Sequence, residues 1–210
     1  DESFAKTLSM CGELFINEAF SCSHRKQASL HNITKFIDSY GGPYLKKELD
    51  SINMILENKK RPVVCIIGGA KVSTKINILK KLVKLADELI IVGAMANNFL
   101  LYHGYNVGSS LVEKDVKEII DDIYKDAKES NCKLTLPVDC NISDSYNGKS
   151  YYKVLKEINS DDIILDIGKN TLNKIFKKID YAKTVFWNGP AGYFENKNFE
   201  EGTKLLAKKI

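Results

Sequence analysis

From Lys59 onward, short apolar runs alternate with segments of helical periodicity. Strands are expected at residues 63–67, 88–92, 133–138, 163–166 and 183–187, and helices at 73–86, 95–103, 113–129 and 171–179. The apolar runs are rich in β-branched residues and mostly continuous, as expected of strands covered on both faces. Repeated strand–helix–strand units predict a parallel sheet with right-handed crossovers. Ligands of such sheets bind outside the strands' carboxyl ends. Gly68-Gly69, Gly93, Asp139, Gly168 and Asn188-Gly189 all fall at those expected ends.

The segment PVVCIIGGAKVSTK, residues 62–75, leaves a strand through two glycines into a helical pattern that places Lys71 and Lys75 in its first turns. Cations at a helix N-terminus oppose the dipole at a cost of about 0.3–1 kcal/mol each. Like charges four residues apart add about 0.2–0.5 kcal/mol. A bound polyanion reverses both signs, because it can accept the free amides and neutralise the lysines. The segment therefore reads first as a phosphate cradle; a glycine turn followed by a surface helix that happens to carry lysines is the competing reading. It matches neither GxxxxGK[ST] nor GxGxxG, and the missing GxGxxG with its acid about 20 residues on argues against a dinucleotide oxidoreductase.

Two further segments carry chemistry. Phe186 to Glu195 leaves a strand through Asn188-Gly189-Pro190-Ala191-Gly192-Tyr193 and ends in an acid. Aromatic and backbone groups there can sandwich a purine, and an acceptor-only carboxylate at Glu195 suits two ribose hydroxyls. A rigid loop with a solvated Glu195 is the competing reading. Asn17 to Arg25 follows a short expected strand at 14–17, and Arg25 can clamp a phosphate or carboxylate bidentately, or be a plain surface charge. Asp139 and Asp166 are expected to cap the turns that follow them, with contact to a ligand as the alternative.

Composition excludes several classes. The chain has 210 residues, with 44% hydrophobic and 28% charged, as in an ordinary globular protein. The 31 basic and 27 acidic residues are interspersed, so no nucleic-acid surface is expected. No apolar stretch approaches a membrane span, and no signal peptide is visible at the start. The five cysteines form no CxxC, the three histidines are scattered, and no metal site is expected. The cysteines read as reduced cytosolic thiols, which predicts a cytoplasmic protein. Both ends fall within helix-like patterns, so the chain is read as a fragment. Residues 44–58 form a long expected helix with Leu45, Leu49, Ile52, Ile55 and Leu56 as its apolar stripe. Residues 141–157 are expected to be a loop or a β-excursion.

The stretches GELFINEAFSCSHRKQASL, GPYLKKELDSINMILENKKRPVVCIIGGAKVSTKI, LPVDC, DDIILDIG and VFWNGPAGYFENKNFEEGT resemble phosphoglycerate kinase, and the likeness runs through nearly all of the chain. The resemblance implies a parallel-sheet, Rossmann-like three-layer α/β nucleotide domain, preceded by the remnant of a second α/β domain. Residues 1–42 would end the triose-binding domain, 43–58 would be the interdomain helix, and 59–210 would be the nucleotide domain, truncated at its C-terminus. The implied reaction moves a phosphoryl group reversibly between 1,3-bisphosphoglycerate and ADP, giving 3-phosphoglycerate and ATP, with magnesium. By resemblance, Lys71 and Lys75 contact the nucleotide phosphates as catalytic residues, and Lys75 follows the transferring group. Gly69, Gly93, Asn188, Pro190, Gly192 and Tyr193 line the adenine side, Glu195 holds the ribose, and Arg25 contacts 3-phosphoglycerate. The family's other triose ligands, and the GGGDT-type segment whose aspartate serves magnesium, fall outside these residues, so no metal ligand is assigned. A monomer is expected, with no nucleic-acid or membrane partner. Ala94 stands where the family has a third glycine and is expected to crowd the adenine side; Lys169 replaces a common proline. A non-catalytic nucleotide-binding fragment or degenerate relative is the alternative.

Overall fold

The computed structural model describes the backbone of residues 1–210 and every side chain except those of Ile55 and Leu56. The chain divides into two compact units, Asp1–Lys59 and Lys60–Ile210.

In the first unit, helix α1 (Glu2–Ser9) starts at Asp1, whose carboxylate accepts the Phe4 amide at 3.1 Å. An aspartate at this position satisfies one of the helix's orphan amides. Strands β1 (Phe15–Asn17) and β2 (Ser39–Gly41) pair in parallel. Helix α2 (Pro43–Glu57) opens with proline in its first turn, where the missing amide costs nothing, and Glu18 accepts the Leu45 amide at 2.9 Å. The stripe expected on α2 is largely open: Leu49 is 45% exposed and Ile52 36%. Its last two members, Ile55 and Leu56, lie outside the described residues.

The second unit carries the expected parallel sheet. Strands β3 (Val63–Ile67), β4 (Glu88–Ile91), β5 (Lys133–Thr135) and β9 (Thr184–Asn188) form it in the order β5-β4-β3-β9, all neighbours parallel. Every residue of β3 and β4 is buried, and the side chains alternate between two cores. Val63, Cys65 and Ile67 face a cluster with Leu79 and Val83 of α3 (Ile76–Leu85), Phe99 of α4 (Ala94–Tyr102) and Ile123 of α5 (Lys117–Glu129). Val64 and Ile66 face a second cluster, with Leu172 and Ile175 of α6 (Lys169–Tyr181) and Leu206 of α7 (Glu201–Lys209). Helices on both faces of one sheet make three layers, and period-two alternation in an all-apolar strand is what serves them.

Three expectations change. The run at 163–166 is β8 (Ile163–Ile167), and it does not join the parallel sheet. It pairs antiparallel with β6 (Asp139–Ser143), which also pairs antiparallel with β7 (Tyr151–Val154). The run at 133–138 stops at Thr135, two residues before Pro137, which has no amide to extend a ladder. The segment 141–157 is thus a β-excursion, not a loop, and packs over its own core of Leu100, Val107, Cys140, Ile142, Leu155 and Ile158. The helix expected from 113 begins only at Lys117, after Asp115 in the left-handed region (φ 58°).

Candidate functional site

Three loops meet outside the carboxyl ends of β3, β4 and β9. The Gly68 amide donates to the Asn188 carbonyl (2.8 Å), the Gly93 amide to the Ala191 carbonyl (3.0 Å), and the Met95 amide to the Gly69 carbonyl (2.8 Å). Backbone therefore lies against backbone, and side chains are excluded. A Cβ on Gly68 would sit 1.9 Å from the Pro190 oxygen. Gly93 is at φ 68°, and a Cβ there would sit 2.9 Å from the Gly69 nitrogen and 3.0 Å from the Pro190 oxygen, closer than a side chain allows. These glycines answer to approach distance as much as to backbone freedom.

Lys75 ends a short 3-10 turn, Ser73–Lys75, and caps α3. Its ammonium folds back over the loops and donates to the Gly68 carbonyl at 2.7 Å and the Asn188 side-chain oxygen at 2.9 Å. Both acceptors are neutral, and no carboxylate pairs with it among the described residues. Partial burial alone lowers its pKa from the usual lysine value. A cation held at the sheet's carboxyl edge by neutral oxygens is an incomplete ion pair, and an arriving anion completes it.

Lys71 differs from expectation. It precedes the 3-10 turn, is exposed, and does not share a helical face with Lys75. The amides expected to be free for an anion are also taken: Glu113 accepts those of Val72 and Ser73, together with the Ser73 hydroxyl.

Beside the loops lies a cleft of about 230 Å3. Gly69, Gly93, Pro190, Gly192, Tyr193 and Glu195, all singled out in the sequence, line it. Ala94 does too, but it is the first helical residue of α4, so its methyl carries no backbone strain. Asn188 serves the cleft indirectly, by holding Lys75. Tyr193 stacks edge-on against Tyr146 of the β6–β7 turn, with ring centroids 5.8 Å apart. The Asn196 amide group ties to the Tyr146 carbonyl at 2.8 Å, which joins the excursion to the loop bearing Glu195. Glu195 itself is exposed at the rim. Arg25 lies in the first unit, exposed, after the turn Phe20–Cys22.

The two acids expected to cap turns do so at long range. Asp139 accepts the amides of Asn170 and Thr171, both at 2.8 Å, and so caps α6. Asp166 is 2% exposed and accepts the Gly202 amide of α7 at 2.7 Å and the Ile167 amide at 2.9 Å. Burial pushes its carboxyl up to about 7, against the pull of those amides. Sequence reasoning missed Glu113, Tyr146 and the pair Asn97-Asn98. The asparagines had a signal, because they interrupt a buried apolar stretch of α4. Among the described residues no three His, Cys, Asp or Glu side chains cluster as a metal site.

The layered sheet, the glycine loops at its carboxyl edge and the unpaired lysine define a Rossmann-like α/β nucleotide-binding domain. The sequence model described as phosphoglycerate kinase matches residues 1–210. The chain is 42% identical over 207 residues to the phosphoglycerate kinase of Bartonella bacilliformis, covering 98% of this chain and 52% of that protein. It is 42% identical over 213 residues to that of Wolbachia pipientis, covering 100% and 53%. The structure of phosphoglycerate kinase from Coxiella burnetii superposes with a TM-score of 0.86 at 35% identity, covering 100% of this chain and 55% of that one. The chain belongs to the phosphoglycerate kinase family, whose members are phosphotransferases. It spans about half the length of the curated relatives it matches.

Proposed function

We propose that this chain carries the nucleotide side of a phosphoglycerate kinase. The protein it belongs to moves a phosphoryl group reversibly between 1,3-bisphosphoglycerate and ADP, in glycolysis and gluconeogenesis, giving 3-phosphoglycerate and ATP. The carboxyl group of the triose acid is the acceptor in the reverse direction. The observation that carries this reading is Lys75: a partly buried ammonium on neutral oxygens, beside a cleft walled by glycine loops.

The roles follow from the chemistry. Phosphoryl transfer asks a protein for positioning and charge neutralisation more than for covalent help. Lys75 moves from Gly68 and Asn188 to the transferring group, and Lys71 neutralises the remaining phosphate charge. The cleft takes the base between the Gly69–Gly93 side and Tyr193, Glu195 accepts the ribose hydroxyls, and Arg25 takes the triose acid. Magnesium arrives on the nucleotide phosphates. We place this activity in a cytoplasmic monomer; all five cysteines are free thiols, in keeping with a reducing compartment.

The test is calorimetry of the 210-residue chain with ADP, with and without magnesium, and phosphoryl-transfer turnover of the full-length protein. Binding of ADP is expected, and its absence would sink the reading. In the full-length protein, Lys75→Ala is expected to keep nucleotide binding and lose about 10²–10³-fold in turnover, as for other transition-state charge partners. Wild-type turnover by that variant would remove Lys75 from the mechanism. The alternative of a non-catalytic relative predicts ADP binding with no turnover even in the full-length protein.

A further inference from the structure

Glu113 lies in the irregular stretch between α4 and α5, yet it acts on the lysine turn some forty residues earlier. One carboxylate oxygen accepts the Val72 and Ser73 amides, the latter at 3.2 Å, and the other accepts the Ser73 hydroxyl. Burial pushes its carboxyl up. The bonds from Ser73 and Val72 and the nearby Lys71 charge outweigh that, so its pKa falls below the usual glutamate value. The segment carrying it is itself fixed from α4. The Glu113 amide donates to the Asn98 side-chain oxygen at 2.7 Å, and the Asn97 side-chain amide donates to the Leu111 carbonyl at 3.1 Å. Leu111 lines the cleft. One three-residue segment therefore borders the cleft at one end and caps the lysine turn at the other.

We propose that Glu113 is a positioning residue for the phosphate end of the nucleotide site: by capping Val72 and Ser73 it fixes the turn that spaces Lys71 from Lys75. This rests on the nucleotide reading above. Because Glu113 consumes those amides, phosphates are met there by ammonium groups and not by the helix's free N–H groups. A carboxylate so close to an anion site is an electrostatic cost, which the fixed spacing of the lysines repays.

The test compares ADP with adenosine, which lacks the phosphates, by calorimetry on the 210-residue chain. Loss of a cap of this kind is expected to weaken ADP binding about tenfold in Glu113→Ala while adenosine stays within about twofold. Glu113→Gln keeps an acceptor for the Val72 amide and is expected to recover most of the ADP affinity. Equal losses for both ligands would reduce Glu113 to a general structural role and overturn the proposal. Tighter ADP binding by Glu113→Ala would overturn it too, by showing the carboxylate to be a competitor. Should Glu113→Ala not fold, Ser73→Ala, which removes one of the three donors, decides: an ADP-selective loss supports the proposal and none overturns it. A wild-type chain that binds neither ligand overturns the nucleotide reading and this proposal together; wild-type ADP binding with an unchanged Glu113→Ala overturns this one alone.

Discussion

Individual residues of the second unit show how burial changes what a common side chain does. Asp166 is a carboxylate in a nearly closed site that feels the like charge of Glu201 and accepts from two backbone amides. Its pKa rises from 3.8 to about 7 on folding. Between those values the folded state holds a proton that the unfolded state has released, so this residue's contribution is fully favourable below about 4 and is lost as pH rises to 7. The upper bound on that loss is about 4 kcal/mol, at 1.36 kcal/mol per unit. The thermal stability of the chain is therefore expected to fall from pH 5 to pH 8, and Asp166→Asn is expected to flatten that slope. An unchanged slope would assign it to other groups. Lys75 is the opposite case, a cation that burial pushes toward neutrality and that an anion would restore. Its alanine variant separates binding from transfer, as set out above.

Elements matter here chiefly through where their ends meet. The loops after β3, β4 and β9 touch through main-chain atoms, and Gly68 is the tightest point, with its would-be Cβ 1.9 Å from the Pro190 oxygen. Gly68→Ala must separate two loops of the sheet edge and is expected to cost about 3 kcal/mol or more, at the upper end of overpacking. Gly104 is a control, since it has φ 81° and open space around it. Gly104→Ala pays only the left-handed backbone cost, about 1–2 kcal/mol. Denaturant melts of the two variants check the difference, and equal losses would show that approach distance is not what Gly68 serves. The parallel strands were legible as elements because runs such as 63–67 are continuous and β-branched. The hairpin β6–β7 was legible only as one of two readings, a loop or a β-excursion, because Asn141, Ser143 and Lys153 break the apolar pattern. Pairing partners were not legible: nothing local distinguishes β8, which joins the antiparallel sheet, from β9, which joins the parallel one.

At the scale of the whole molecule, the chain spans about half the length of its relatives and divides into two compact units. All of the proposed nucleotide contacts lie in the second unit, and Arg25 alone represents the triose side in the first. The 210-residue chain is accordingly expected to bind ADP without turning over. Saturation at a hundred times the dissociation constant should raise its stability by about 2.7 kcal/mol, read as a shift in the thermal midpoint. Turnover by the purified chain would show that a triose site can be completed from these residues. No described helix is long and apolar enough to cross a membrane.

The sequence by itself determined the layered α/β unit and the glycine loops, and it named the glycines, Pro190, Tyr193 and Glu195 on one side of the cleft but not the wall from Asn97, Leu111, Tyr146 and β8. Those depend on local signals: runs of β-branched residues, helical periodicity, and glycines at strand ends. Only the tertiary structure decided what those residues do to one another. Glu113 reaches Ser73 across forty residues, Asn188 reaches Lys75 across 113, and Asp166 reaches Gly202 across 36. Such contacts leave no periodic trace in a chain, because a hydrogen bond depends on where the backbone returns in space. The lysine cradle changed most for that reason. The sequence read it as two cations on one helical face with free amides, and the fold made it one retained lysine, one exposed lysine and a glutamate already seated on the amides.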